Sequence, residues 1–203
     1  MTPSLPHVLV ILGSTREGRR GETVARWFAG LAGERDDLTS ELVDLRDWPF
    51  PFLSARVPPS RGLYEDPLTI AWAAKVASAD GFVLVTPEYN HGYPAVLKNA
   101  LDVIFAEWSR KPVSFVGYGG SAGGVRAVEQ LRQVAVELGL APLRRQVTIA
   151  RVGGAFDETG RPREEYHDAS AGRLLDELAW WARALAAARD SDALQASQES
   201  TTG

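Results

Sequence analysis

The chain has no cysteine among its 203 residues. Structural disulfides, thiolate metal sites and cysteine nucleophiles are therefore excluded. Lysine is scarce as well, and the net charge of -4 argues against a nucleic-acid partner. No stretch approaches the roughly 20 consecutive apolar residues of a membrane-spanning helix. The apolar run at His7–Leu12 has no basic segment before it and is too short for a signal sequence, so we predict a cytoplasmic protein.

The length and composition predict one folded domain over residues 1–190. A chain of this size forms a single α/β domain and leaves little room for a second core. Hydrophobic residues make up 45% of the sequence and charged residues 24%, as in an ordinary globular protein. Residues 191–203 are polar and carry no capping signal, so we predict a disordered tail there.

Five short segments have the pattern of strands; four are apolar runs typical of buried strands, and Glu41–Leu45 alternates in part, which indicates an edge strand. They lie at His7–Leu12, Glu41–Leu45, Phe82–Val85, Val113–Val116 and Val147–Ala150. Helical spacing appears between them, with apolar residues at i, i+3, i+4 and i+7 in Val24, Trp27, Phe28 and Leu31. This alternation predicts an α/β fold with a parallel sheet and helices on both of its faces.

The first strand is followed by a loop, residues 13–21, that is rich in glycine and arginine. Backbone amides at the start of the next helix carry partial positive charge and lack intrahelical partners, which suits a phosphate group. Ser14 and Thr15 add hydroxyl donors, and Arg16 or Arg19 can supply bidentate contacts. The loop matches neither GxxxxGK[ST] nor GxGxxG, and a phosphatase loop would need a thiolate. A monophosphate site fits, and an arginine-rich surface turn is the alternative.

Two further loops follow the third and fourth strands. Open α/β sheets bind ligands at the carboxyl ends of their strands, where the strand order reverses. The motif Pro87-Glu88-Tyr89-Asn90 offers flat aromatic and backbone groups there, although an ordinary loop carboxylate and a packed ring would also explain it. Gly119–Gly124 holds four glycines, which let a backbone approach a ligand plane closely; a flexible turn is the alternative.

Together the three loops resemble the NAD(P)H-dependent FMN reductase family, over roughly residues 7–150. The resemblance implies a flavodoxin-like three-layer sandwich with a five-stranded parallel sheet in the order 2-1-3-4-5. It also implies FMN as the cofactor, NADPH or NADH as the electron donor, and a quinone, free flavin, azo dye or metal oxyanion as the acceptor. Family members are homodimers or homotetramers, so we expect the same here.

The resemblance also implies which residues contact FMN. Ser14 and Arg16 match the family's phosphate-binding serine and arginine, with Arg19 and Gly21 beside them. The loops after the third and fourth strands would line the flavin through Pro87, Glu88, Tyr89, Asn90, His91, Gly119, Gly120, Ser121 and Gly124. For His91, a solvated loop histidine is the competing interpretation. We expect no catalytic acid or base and no metal site, because the cofactor supplies the chemistry.

Several questions stay open at this point. A flavodoxin-type electron carrier and a flavin redox sensor are alternatives to the reductase. Residues 47–65 are rich in proline and aromatic residues, and could pack against the chain's own core, a neighbouring subunit or a substrate. Asn99 and Asp102 could face solvent or belong to a buried network at a subunit interface.

Overall fold

In a computed structural model, which describes the backbone of residues 4–201, five strands form one parallel sheet. The strands are β1 (His7–Leu12), β2 (Thr39–Asp44), β3 (Gly81–Pro87), β4 (Pro112–Tyr118) and β5 (Ala141–Ile149). Their order is β2-β1-β3-β4-β5, and each neighbouring pair is parallel. The predicted fold class and strand order are confirmed.

Helices cover both faces of the sheet. They are α1 (Gly21–Gly33), α2 (Pro67–Ala77), α3 (Ala95–Asp102), α4 (Val125–Glu137) and α5 (Tyr166–Thr201). Helices α1 and α5 contribute to the hydrophobic cluster on one face, whereas α2, α3 and α4 contribute to the cluster on the other. Alternate residues of β1 enter the two clusters, Leu9 and Ile11 on one side and Val8 and Val10 on the other. Burial on both faces explains why the central strands read as continuous apolar runs.

The last helix extends past the predicted boundary of the domain. Residues 191–201 continue α5, whereas the sequence predicts a disordered tail from residue 191. The segment contains alanine, leucine, glutamine and glutamate, which have high helix propensity and need no cap to prolong an existing helix. Asp192 also forms an ion pair with Arg110. Among the described helices, α5 included, we find none that is long and apolar enough to cross a membrane.

The aromatic segment at residues 47–65 packs against the chain's own core at both ends. Trp48 and Phe50 lie against Trp72, with ring centroids 4.9 and 5.7 Å away. At the other end, the Tyr64 hydroxyl donates to the Glu107 carboxylate at 2.8 Å. Between these anchors, aromatic and aliphatic side chains remain in solvent, including Phe52 at 78% and Leu63 at 65% exposure.

The structure also shows what Asn99 and Asp102 on α3 contact. The buried Asn99 amide accepts a hydrogen bond from the Leu53 backbone N–H at 3.1 Å and donates to the Pro51 carbonyl at 2.9 Å. Asp102 instead pairs with Lys98 one turn earlier, at 2.6 Å. Asn99 therefore fixes the aromatic segment to α3 within one chain.

Candidate functional site

The three loops meet at one edge of the sheet. They follow β1, β3 and β4, which are neighbours in the strand order. The Gly13 amide donates to the Val85 carbonyl at 2.9 Å, and the Glu88 amide donates to the Tyr118 carbonyl at 3.1 Å. These bonds hold the loops side by side at the topological switch point, where open α/β sheets bind ligands.

The loop after β1 contains a buried hydroxyl group without a partner. Ser14 is fully buried, and its Oγ atom forms no hydrogen bond of normal geometry within the described part of the chain, although the Tyr118 hydroxyl lies near enough to interact with it weakly. Buried polar atoms are nearly always paired, and an exception calls for an explanation such as a missing ligand. Arg16 is exposed beside it, and the loop leads into the N-terminus of α1. These groups fit a phosphate, which would supply the acceptor that Ser14 lacks.

Arg19 differs from the sequence expectation. Its side chain is only 2% exposed and forms an ion pair with Asp44 at the end of β2, with one hydrogen bond of 2.8 Å. It also donates to the Ser14 carbonyl. Burial lowers the pKa of Arg19 and raises that of Asp44, but the hydrogen bond and charge of the partner outweigh burial in both, leaving the Arg19 pKa raised and the Asp44 pKa lowered. Both terminal nitrogens of the Arg19 guanidinium are engaged in fixing the loop, and its buried Nε is left without a partner in the described part of the chain.

A second arginine, Arg46, donates hydrogen bonds to backbone carbonyls of the same loop. Arg46 donates to the Arg16 carbonyl at 2.7 Å and to the Thr15 carbonyl at 3.3 Å. Its own backbone N–H donates to Asp44 at 2.9 Å. Sequence reasoning missed Asp44 and Arg46, although an aspartate at a strand end followed by a tight turn is a recognisable capping signal.

Gly21 is explained by packing. A Cβ atom at this position would lie 2.1 Å from the Tyr118 hydroxyl oxygen. That hydroxyl is buried, and burial raises the pKa of Tyr118 to about 12, so it stays protonated. Glycine therefore admits the Tyr118 ring beneath the start of α1.

The loop after β3 forms a tight turn. Tyr89 and Gly92 exchange two backbone hydrogen bonds, of 2.8 and 2.9 Å. The two residues between them, Asn90 and His91, both have positive φ, at 49° and 68°. Residues other than glycine rarely adopt a positive φ. Backbone strain of this kind is found at functional sites, where the surrounding structure enforces it. Pro87 is buried, and Tyr89 is exposed at the edge of the site.

Side chains from α4 hold this turn in place. Arg126 donates to the buried Glu88 carboxylate through its Nε at 2.6 Å and its backbone N–H at 3.1 Å, and its Nη1 lies 2.8 Å from His91 Nε2. Gln130 donates to the His91 carbonyl at 3.0 Å. Burial raises the pKa of Glu88, but the bonds from Arg126 outweigh it and leave that pKa below its usual value. Sequence reasoning missed Arg126 and Gln130.

The glycines after β4 serve two different purposes. Gly124 has a φ of +88°, and a Cβ there would lie 2.5 Å from the Tyr118 amide nitrogen, so this position requires glycine. Gly120 has ordinary φ, and a Cβ there would meet no atom within 4 Å. The Gly119 and Gly120 carbonyls accept hydrogen bonds of 3.0 and 2.8 Å from the chain after β5. Ser121 is exposed. The loop is thus fixed by its backbone while the space above Gly120 is open.

The described residues contain no group of three or more histidine, cysteine, aspartate or glutamate side chains that could hold a metal ion. What the three loops offer is a buried serine hydroxyl and a helix N-terminus beside open backbone at Gly120. Such a site binds and orients a cofactor that carries its own chemistry.

Known proteins resemble this chain in sequence and in fold. A family model described as NADPH-dependent FMN reductase matches residues 6–154. An NAD(P)H-dependent FMN reductase of Schizosaccharomyces pombe is 43% identical over 150 residues, covering 72% of this chain and 74% of that protein. A quinone reductase of Pseudomonas putida is 32% identical over 168 residues, covering 76% and 83%.

A solved structure supports the fold. FerB, a flavoenzyme NAD(P)H:(acceptor) oxidoreductase from Paracoccus denitrificans, aligns with a TM-score of 0.71 at 20% identity, over 88% of this chain and 98% of that one. At this identity the likeness bears on the fold alone. The family model, which spans well over half of the sequence, agrees with the motifs and their placement, and the chain belongs to the NADPH-dependent FMN reductase family.

Proposed function

We propose that this protein holds FMN across the loops after β1, β3 and β4 and passes electrons from NAD(P)H to a small acceptor such as a quinone. The observation that carries the proposal is the buried, unpartnered Ser14 hydroxyl beside the start of α1. Membership of the family confirms the predictions of FMN, of an NAD(P)H donor and of oxidoreductase activity. It does not favour the electron-carrier or sensor alternatives.

The phosphate end of the site is built from backbone and two side chains. We assign Ser14 Oγ and the exposed Arg16 guanidinium to the phosphate of FMN, together with the backbone amides that precede α1. Arg19 acts indirectly, because its ion pair with Asp44 keeps the loop in position. Gly21 acts in the same indirect way by admitting the Tyr118 ring.

The flavin end is built from two loops. The turn after β3 would present Pro87, Glu88, Tyr89, Asn90 and His91 along one side, and the loop after β4 would present Gly119, Gly120, Ser121 and Gly124 along the other. Glu88 and His91 contribute through the shape of the turn, since Arg126 engages both side chains. Open backbone at Gly120 lets a flat ring approach closely.

In this proposal bound FMN would supply the redox chemistry between NAD(P)H and the acceptor, and the protein supplies binding and orientation. The protein binds the phosphate, orients the ring between two rigid loops and excludes water from its buried side, and such positioning accounts for a large part of catalysis. The described part of the site contains no side chain that has to gain or lose a proton for these tasks.

The direct test is an anaerobic visible spectrum of the purified protein with FMN. We expect a bound-flavin band that NADPH or NADH bleaches and that a quinone restores, and the two reduction rates would rank the donors. A bound flavin that neither nucleotide reduces would move the protein to the carrier or sensor class. Absence of flavin binding would remove the proposed site.

Replacing Ser14 by alanine separates ligand binding from stability. The substitution removes a buried hydroxyl that forms no hydrogen bond of normal geometry within the described residues, so the FMN-free protein should be as stable as the wild type or more stable, by up to about 1 kcal/mol. FMN binding should weaken about tenfold, because one phosphate contact is lost. Thermal unfolding without FMN and fluorescence titration with FMN measure the two effects, with Arg26→Ala on the exposed face of α1 as the control.

A loss of stability together with unchanged FMN affinity in the Ser14→Ala variant would contradict this assignment. In that case Ser14 would have a partner within the protein, and the phosphate would bind elsewhere.

We also propose that the protein assembles into a homodimer or homotetramer. Phe52, Leu53 and Leu63 expose apolar surface on the 47–65 segment, and a second copy is a partner that would cover it. Light scattering of the purified protein gives the number of subunits, and a monomer at micromolar concentration would reject the proposal. The cytoplasmic location and the lack of a nucleic-acid partner stay predictions.

A further inference from the structure

We infer that Arg126 is a positioning residue that makes the two flavin-binding loops behave as one unit. The inference rests on the proposed function, because it concerns the loops expected to hold FMN. Its structural basis is a chain of contacts from Glu88 through Arg126 to His91, referred to below as the Glu88–Arg126–His91 link.

The link connects the turn after β3 to the loop after β4. Arg126 is the second residue of α4 and lies two positions after Gly124, where the glycine loop ends. Its backbone N–H and its guanidinium both reach the Glu88 carboxylate, at 3.1 and 2.6 Å. Because one residue supplies both donors, a shift of the start of α4 has to move Glu88 with it.

The Glu88 carboxylate and the Arg126 guanidinium form a closely contacting ion pair. The Glu88 side chain is only 7% exposed, and Arg126 approaches it through a second guanidinium nitrogen at 2.5 Å. Because these hydrogen bonds lie at the protein surface, removing one member of the pair leaves a charge that solvent compensates only in part. Two-point contact from a planar guanidinium also fixes direction as well as distance.

His91 closes the link on the opposite side of the turn. An arginine only donates hydrogen bonds, so the contact between Nη1 and His91 Nε2, which are 2.8 Å apart, is a hydrogen bond in the tautomer that leaves Nε2 without a proton. Gln130, one helical turn further along α4, donates to the His91 carbonyl at 3.0 Å. These contacts hold Asn90 and His91 in their positive-φ conformation, which is uncommon outside glycine although asparagine and histidine adopt it more often than most residues.

The rigidity of this turn should affect FMN binding, because both loops face the proposed flavin. A site that is held loosely loses binding and rate even when all its contact residues are present. Arg126 thus acts through the spacing of the two loops, without touching the cofactor.

The test compares two arginines of the same helix. Arg126→Gln breaks the link, whereas Arg132→Gln removes a guanidinium that donates to the Leu143 and Arg144 carbonyls on the β5 side of α4. We expect Arg126→Gln to weaken FMN binding about 10- to 100-fold and to shift the midpoint potential of the bound flavin. Arg132→Gln should lower the melting temperature while FMN affinity and potential stay at wild-type values.

A double-variant cycle provides the sharper criterion. If Glu88 and Arg126 act as one unit, Glu88→Gln should also weaken FMN binding. The double variant Glu88→Gln/Arg126→Gln should then bind FMN as tightly as whichever single variant binds it less tightly. Additive effects of the two substitutions, or an unchanged potential and affinity in Arg126→Gln, would overturn the inference. Arg126→Lys replaces Arg126→Gln if the latter does not fold, with a smaller effect in the same direction.

Hydrogen exchange in the FMN-free protein keeps the inference separate from the proposed function. The Tyr89 and Gly92 amides are bonded to each other's carbonyls across the turn, and we expect Arg126→Gln to speed their exchange while Arg132→Gln does not. Unchanged exchange at these amides would overturn the link even if the wild type binds FMN. Failure of the wild type to bind FMN would reject the proposed function and leave this measurement valid.

Discussion

Replacing Gly120 by valine should abolish tight FMN binding without harming the fold. The backbone of Gly120 has ordinary φ, and a Cβ there would meet no atom within 4 Å, so the apoprotein accommodates the side chain. In the proposed site, the added methyl groups would occupy the space assigned to the flavin ring. An overpacked contact of this kind weakens binding about 100-fold.

Titration with FMN, together with thermal unfolding of the FMN-free protein, measures both parts of this prediction. Gly172→Val on α5 is a matched control, because a Cβ at that glycine also meets no atom within 4 Å. Normal FMN binding by Gly120→Val would mean that the loop after β4 does not face the ring. Gly124→Val is unsuitable for this test, since its positive φ and a 2.5 Å approach to Tyr118 would destabilise the loop itself.

Asp44→Ala should be the most destabilising single substitution at the phosphate end of the site. It leaves the Arg19 guanidinium buried at 2% exposure without its partner. Removing one member of a fully buried ion pair costs about 3 kcal/mol or more of unfolding free energy, and because the Asp44 side chain is 27% exposed we expect a loss of about 2 kcal/mol here. The loop would loosen with it, so FMN binding should also weaken. Asp47→Ala, a few residues along the same connection and exposed, should change stability by less than about 0.5 kcal/mol.

The pH dependence of this effect has a definite sign. The pKa of Asp44 is lowered in the folded protein from its ordinary value of 3.8. Its contribution is therefore fully present above pH 3.8 and is lost as the pH falls through the lower folded pKa. Urea unfolding of the wild type and Asp44→Ala at neutral and strongly acidic pH measures this difference. If the difference in unfolding free energy between the wild type and Asp44→Ala grew as the pH fell, the ion pair could not be its source.

Local patterns were enough to predict the sheet and the position of the site. A strand buried on both faces appears as a continuous apolar run, as in His7–Leu12, and this depends only on neighbouring residues. Gly139, two residues after the end of α4, has a φ of +69°, a conformation that glycine commonly adopts just after a helix. Because parallel strands end at one edge, loops that follow neighbouring strands had to meet once the strand order was known.

The partner of each charged side chain could not be predicted in the same way. Arg16 and Arg19 lie three residues apart in one loop, yet Arg16 is exposed and Arg19 is buried against Asp44. The choice depends on the end of β2, which the β1–β2 pairing brings next to the loop. No local pattern contains that information.

The same reason applies to the residues that hold the flavin-side loops. The sequence by itself determined the strands, the glycine loops and the family to which they belong, because these follow from short-range preferences and motif spacing. Only the tertiary structure decided that Arg126 engages Glu88 and His91 and that Asn99 fastens the aromatic segment. Hydrogen bonds and ion pairs between residues more than 30 positions apart form only after the sheet has brought them together.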